Sequence, residues 1–136
     1  MITTGRILVA LYFLLPGILK FVAFPMNLSL MSAHGISNPA PLRFVAGVAQ
    51  VAGALLLMTD RFVRFSALGL VAYILVINVL LHDFWNFTGV QGGHELQNFI
   101  KNLGILAGLL VLAGISPWRT PSAWGLMMSD AKAFAA

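Results

Sequence analysis

Cysteine is absent from all 136 residues. The chain therefore carries no disulfide, no thiol redox pair and no cysteine-ligated iron-sulphur cluster, and any electron it handles has to belong to a bound molecule. Charge is nearly as scarce. Only 9% of the residues are Asp, Glu, Lys or Arg, against roughly 25% in an ordinary soluble domain, too few to cover a soluble fold. The net charge of +4 is spread over single basic residues beside apolar runs. It forms no basic patch, which argues against a nucleic-acid partner.

What remains is hydrocarbon: 60% of the chain is hydrophobic. The apolar residues fall into four runs, Ile7 to Phe24, Phe44 to Met58, Phe65 to Leu81, and Phe99 to Ile115. Each approaches the roughly 20 residues that cross a hydrocarbon core of about 30 Å as a helix. Continuous stretches such as Ala54-Leu55-Leu56-Leu57-Met58 do not alternate in polarity, as a membrane β-barrel would require. Helices also satisfy their own backbone groups, as lipid demands. The expected fold is an all-α membrane protein, a four-transmembrane-helix antiparallel bundle in one domain over 1–136. Its spans fall at about 5–24, 42–59, 62–82 and 98–115, with an interfacial tail over 116–136.

The basic residues orient the bundle. Arg6, Arg61, Arg64, Arg119 and Lys132 fall on one side and Lys20, Arg43 and Lys101 on the other, which predicts cytoplasmic termini. The stretch after Arg6 reaches Lys20 without a small-residue cleavage site, so it reads as a retained first span rather than a signal peptide.

Along the chain, Pro16-Gly17 predicts a kink in the first span. Lys20 lies one turn further on, and either snorkels outward or is aimed into the bundle. Residues 25–41 read as an outer loop, with Pro39 and Pro41 arguing against helix before the second span. His34 in that loop reads as a solvated histidine. Gln50 falls about 12 Å inside the second span at 1.5 Å per residue and needs a partner there, whether a neighbouring helix or a ligand. Thr59-Asp60-Arg61 makes a tight turn. In the third span Asn78 and His82, four apart, share a face, whereas adjacent His82 and Asp83 do not automatically pair.

Phe84, Trp85 and Phe87 form either an interfacial aromatic belt or a wall for a flat ligand. Thr88 to Leu96, rich in glycine, reads as a flexible loop. The last span opens with Gln97, Asn98, Lys101 and Asn102; the deeper pair would need partners such as Asp83 or Glu95. Gly104 and Gly108 form a G-x-x-x-G packing face, and Trp118 and Trp124 mark the tail as interfacial. His82, Asp83, His94 and Glu95 match no dedicated metal-site spacing, and no histidine is placed for axial haem ligation.

Antiparallel topology brings these polar residues to one end, Arg43 among them. The candidate ligand-binding residues are Lys20, Gln50, Asn78, His82, Asp83, Trp85, Lys101 and Asn102; no catalytic residue is assigned. The order Gly5-Arg6, Pro16-Gly17-x-x-Lys20, Ala46-Gly47-x-x-Gln50-x-x-Gly53, Arg61, His82-Asp83-Phe84-Trp85 and Lys101-Asn102-Leu103-x-Ile105-x-x-Gly108-Leu109-Leu110 resembles the DoxX family of bacterial inner-membrane proteins, from residue 5 to 115. The resemblance implies four membrane helices in the bacterial inner membrane. Some members are associated with thiosulfate:quinone oxidoreductase or described as quinol oxidase subunits, and many have no assigned reaction. Many relatives have an acid where this chain has Gln50, so a proton-carrying role at that position would be lost here and hydrogen bonding kept.

The expected role is a quinone-interacting accessory subunit of a membrane redox system, with no redox centre and no covalently bound cofactor of its own. His82, Lys101, Asn102 and Gln50 would donate to the quinone oxygens, and Trp85 and Phe84 would stack on its ring. Its partners would be the lipid bilayer, a membrane or peripheral redox protein, and further copies of the chain. The alternatives are a non-catalytic scaffold for a larger membrane complex and, behind it, a transporter of a small solute or lipid, for which the chain lacks inverted repeats and paired broken helices.

Overall fold

Four helices are long and apolar enough to cross a membrane in a computed structural model of the chain. They are α1 (Ile2–Val22), α2 (Pro39–Met58), α3 (Val63–Leu81) and α4 (Gly89–Ile115). The structure describes residues 1–22, 35, 39–119, 122 and 125–130. His34 and Trp124 lie outside the described residues, as does most of the predicted outer loop. No strand occurs among the described residues.

The helices pack in chain order around a ring. The largest interfaces join α1 to α2 and α3 to α4, with α2 against α3 and a lighter contact of α1 with α4 closing the circle. Close approach in the first pair depends on small residues. A Cβ on Gly47 would lie 2.8 Å from Phe21 Cζ, and one on Gly17 would lie 3.0 Å from Val51 Cγ2 and 3.1 Å from Gln50 Cβ. Between α2 and α3, Gly53 fits under Leu70 and its carbonyl accepts a 2.7 Å bond from Ser66 Oγ. The dry core runs through Ala10, Phe13, Leu57, Leu70, Ile74 and Leu109.

Three expectations change. Pro39 and Pro41 do not hold the second helix back: both lie in its first turn, where an N–H has no intrahelical partner to lose. Gly89 to Leu96 is not a loop but the first turns of α4, which spans 27 residues and about 40 Å at 1.5 Å per residue. Gly92 lets that turn sit against the preceding chain, since a Cβ there would lie 2.7 Å from the Phe87 carbonyl oxygen. Finally, Gly104 and Gly108 are not a packing face within the chain, because a Cβ on either meets nothing within 4 Å. The inward stripe of α4 is instead Asn102, Leu109, Leu112 and Ala113, and the glycines lie off it.

At the end opposite Lys20, the turn between α2 and α3 places Asp60 at φ 59° and Phe62 at φ 46°, a left-handed conformation that non-glycine residues rarely adopt. Asp130, from the tail, holds it. Its carboxylate accepts from the N–H groups of Phe62 (3.2 Å) and Val63 (2.9 Å), and its own N–H donates to the Asp60 carbonyl at 2.6 Å. This places an anion where the first turn of α3 presents free donors. Arg119 pairs with Asp130 at 2.7 Å, and Arg6 pairs with Asp60. Arg64 donates to the carbonyls of Ala113 (2.6 Å) and Gly114 (2.9 Å) in the last turn of α4 and lies over the exposed ring of Trp118. The described part of the predicted interfacial tail is thus anchored to the bundle by Asp130, which is 3% exposed.

Candidate ligand cavity

Polar side chains in a membrane bundle persist only where they have partners, and at the Lys20 end all four helices supply them. On α1, Tyr12, Pro16 and Lys20 recur every four residues and share a face. Lys20 does not snorkel away: its ammonium donates to Gln50 Oε1 at 2.8 Å, and Gln50, on α2, is 4% exposed. Seven residues before Gln50, two turns along the same face, Arg43 is 1% exposed.

Asn78 on α3 and Asn102 on α4 are both buried. Asn102 donates to Asn78 Oδ1 at 2.8 Å and accepts from the Tyr12 hydroxyl at 3.0 Å; Asn78 Nδ2 reaches the Phe99 carbonyl at 3.4 Å. Three helices are thereby tied by one chain of hydrogen bonds. His82, just past α3, contacts Glu95 Oε2 through Nδ1 at 2.8 Å. When Nδ1–H donates to the carboxylate, Nε2 is left as an acceptor in the neutral ring and a donor in the charged one. The early start of α4 is what brings Glu95 to this histidine.

These groups surround a cavity of about 220 Å³. Lys20, Arg43, Gln50, His82, Tyr12 and Asn102 supply its polar lining, and Phe13, Pro16, Tyr73, Ile74, Ile77 and Leu81 its apolar lining. Beside it a second, almost wholly apolar cavity of about 300 Å³ lies between α2 and α3, and the two share Lys20, Arg43, Tyr73, Ile77 and Leu81 as a common wall.

Of the residues singled out from the sequence, Lys20, Gln50, His82 and Asn102 line the polar cavity. Asn78 supports it from behind through Asn102. Asp83 is buried and accepts from Asn86 Nδ2 at 2.7 Å without lining either cavity. Lys101 is exposed on α4 and lines neither cavity, while Glu95, one of the partners expected for it, contacts His82. Trp85 is 55% exposed and stands edge-on to Phe84 (5.2 Å) and Phe99 (6.4 Å). That cluster forms a belt beside the site and lines neither cavity.

The sequence alone puts Arg43 in the polar layer without making it a site residue, and it does not single out Tyr12 or Tyr73. The four-residue stripe of Tyr12, Pro16 and Lys20 is the signal for Tyr12, and the seven-residue step from Arg43 to Gln50 the signal for Arg43; no such spacing marks Tyr73.

Residues 1–83, which carry α1 to α3 and reach Asp83, match the family model for DoxX. The chain belongs to the DoxX family. This DoxX protein is also 32% identical over 113 residues to the inner membrane protein YphA of Escherichia coli (strain K12), covering 83% of the chain and 81% of that relative. No solved structure matches. With four membrane-spanning helices, it is a multi-pass protein of the bacterial inner membrane. The DoxX match includes Lys20, Arg43, Gln50 and His82; Asn102 lies beyond it, on α4.

Proposed function

We propose that this DoxX-family protein is a quinone-interacting accessory subunit of a membrane redox system, and that the polar cavity receives the quinone ring. The observation that carries the reading is the cavity itself: polar side chains from α1, α2, α4 and the end of α3 converge on one space at the Lys20 end, next to a dry apolar core. A quinone needs donors to its carbonyl oxygens. The Lys20 ammonium has three, one of which is used on Gln50, and Asn102 Nδ2 has a second N–H beside the one it gives to Asn78. It also needs flat apolar contact, which Phe13 and Tyr73 supply. At about 220 Å³ the space is smaller than the roughly 300–1,000 Å³ of ordinary ligand pockets, which suits a ring and not a whole tailed molecule. The His82–Glu95 contact offers a route for protons. The electron would pass to a partner subunit, since the chain contains no thiol.

The test is titration of the purified protein with a short-chain benzoquinone. Lys20→Met and Asn102→Leu, each checked by thermal melt, should weaken binding at least tenfold. Trp85→Ala and Lys101→Ala, outside the cavity, should leave it unchanged. Equal affinity in all four variants, or no binding to the parent, overturns the proposal.

One observation favours a second reading, a non-catalytic scaffold. The Lys20–Gln50 and Tyr12–Asn102–Asn78 bonds already join the helices to one another. On that reading the same substitutions lower the melting temperature and the yield of a copurifying membrane subunit, and no quinone affinity exists to be lost.

A further inference from the structure

Resting on the quinone reading above, we infer that the quinone is one with a long hydrocarbon tail, that the tail lies in the apolar groove between α2 and α3, and that the ring enters the polar cavity sideways from the bilayer along that groove. Beside their shared turn α2 and α3 are held together, where Gly53 fits under Leu70 and accepts from Ser66. Toward the Lys20 end they part. Ala46 and Ala49 of α2 and Gly69 and Ala72 of α3 line a cavity of about 300 Å³ between them, and a Cβ on Gly69 would meet nothing within 4 Å. Leu42, Val45 and Val76, in the same lining, are exposed, so the groove opens on the surface that faces lipid.

The groove suits a hydrocarbon tail and offers nothing to a headgroup. Its surface is almost wholly apolar, the Lys20 ammonium is engaged by Gln50, and Arg43 is 1% exposed. Along α3 the groove runs from Gly69 to Leu80, about 16 Å at 1.5 Å per residue, which is half of a hydrocarbon core of about 30 Å. A tail laid in it from the Lys20 end stops near the bilayer middle. One row of side chains separates this space from the ring's. Tyr73, Ile77 and Leu81, four apart on α3 and so on one face, line both cavities, and α3 ends at Leu81. The tail of a ring seated against Phe13 and Tyr73 has only the Leu81 end of that row to round before it reaches hydrocarbon. Asn102 lines the polar cavity and not the groove, so a tail held by its ring depends on Asn102, whereas a phospholipid chain in the same groove does not.

The full chain, in one detergent, is titrated with two benzoquinones that share a ring, one without a tail and one with a long isoprenoid tail. Ala49→Leu combined with Ala72→Leu, which fills the groove, should weaken the tailed quinone at least tenfold and the tail-less one less than twofold. Comparing variants at fixed detergent cancels the partition of the tail into micelles. Gly108→Leu, on the open face of α4, should change neither. If the filled variant does not fold, the parent chain decides the matter: a tailed quinone with a diazirine halfway along its tail should label α2 between residues 42 and 49 and α3 between 69 and 80, and Asn102→Leu should cut that labelling at least fivefold. If the tail-less quinone binds the parent but filling the groove leaves the tailed one unchanged, or weakens both equally, the tail groove is overturned and the quinone reading stands. Groove labelling that survives Asn102→Leu also overturns it, since the groove is then a crevice for any lipid chain. No quinone binding to the parent removes both.

Discussion

Asp130 shows how much one carboxylate can hold in a chain with four acids. It accepts from two backbone N–H groups of a left-handed turn and pairs with Arg119. Asp130→Ala would leave those donors and a largely buried guanidinium without it. Breaking a buried, hydrogen-bonded pair costs roughly 3–5 kcal/mol; because Arg119 retains some solvent contact, about 2–3 kcal/mol is expected here, read as a lower thermal midpoint in detergent. At the other end, Asn78 and Asn102 should be coupled. A double-mutant cycle with leucine at each is expected to give an interaction of about 0.6 kcal/mol and no more than about 1.7, the range found for polar pairs between membrane helices. A coupling of zero would mean that the Asn78–Asn102 bond does not join α3 to α4. Lys20, Gln50 and Asn102 were legible in the sequence because a polar residue inside an apolar run has to be answered by something. Asp130 was not, because a tail of mixed composition has no period from which to read a contact.

At the scale of the helices, glycines divide by what their missing side chains would meet. Gly17 and Gly47 are where α1 and α2 touch, and Gly104 and Gly108 face open space. Gly17→Leu should therefore separate the first pair and destabilise the fold by on the order of 1–3 kcal/mol, the usual cost of overpacking. Gly108→Ala should be neutral, or stabilising by up to about 1 kcal/mol through helix propensity. Thermal melts of the two variants side by side decide this; equal losses would mean that Gly108 packs within the chain. The sequence offers Gly104 and Gly108 as a packing face and Gly17 only as part of the kink at Pro16, because small-residue spacing marks a possible face without saying which neighbour uses it. The start of α4 was hidden for a related reason. Gly89, Gly92 and Gly93 lower local helix propensity, and the compensating contact, Glu95 with His82, is made between residues whose meeting the glycine-rich stretch itself does not reveal.

For the molecule as a whole, the four spans and their antiparallel order were legible from hydropathy and short turns, since bilayer thickness leaves few ways to thread so apolar a chain. What hydropathy could not supply was the division of the polar end into a cavity and a belt. Lys20, Arg43, Gln50, Tyr12, His82 and Asn102 enclose a space, and Trp85, Phe84 and Phe99 pack on one another beside it. A photoreactive benzoquinone, activated in membrane vesicles and mapped by peptide mass spectrometry, separates the two most directly. The account predicts labelling of α1 between residues 12 and 20 and of α2 between 43 and 50, suppressed by Lys20→Met. Labelling confined to the Phe84–Phe99 cluster, or spread evenly over the lipid-facing surfaces, would contradict it.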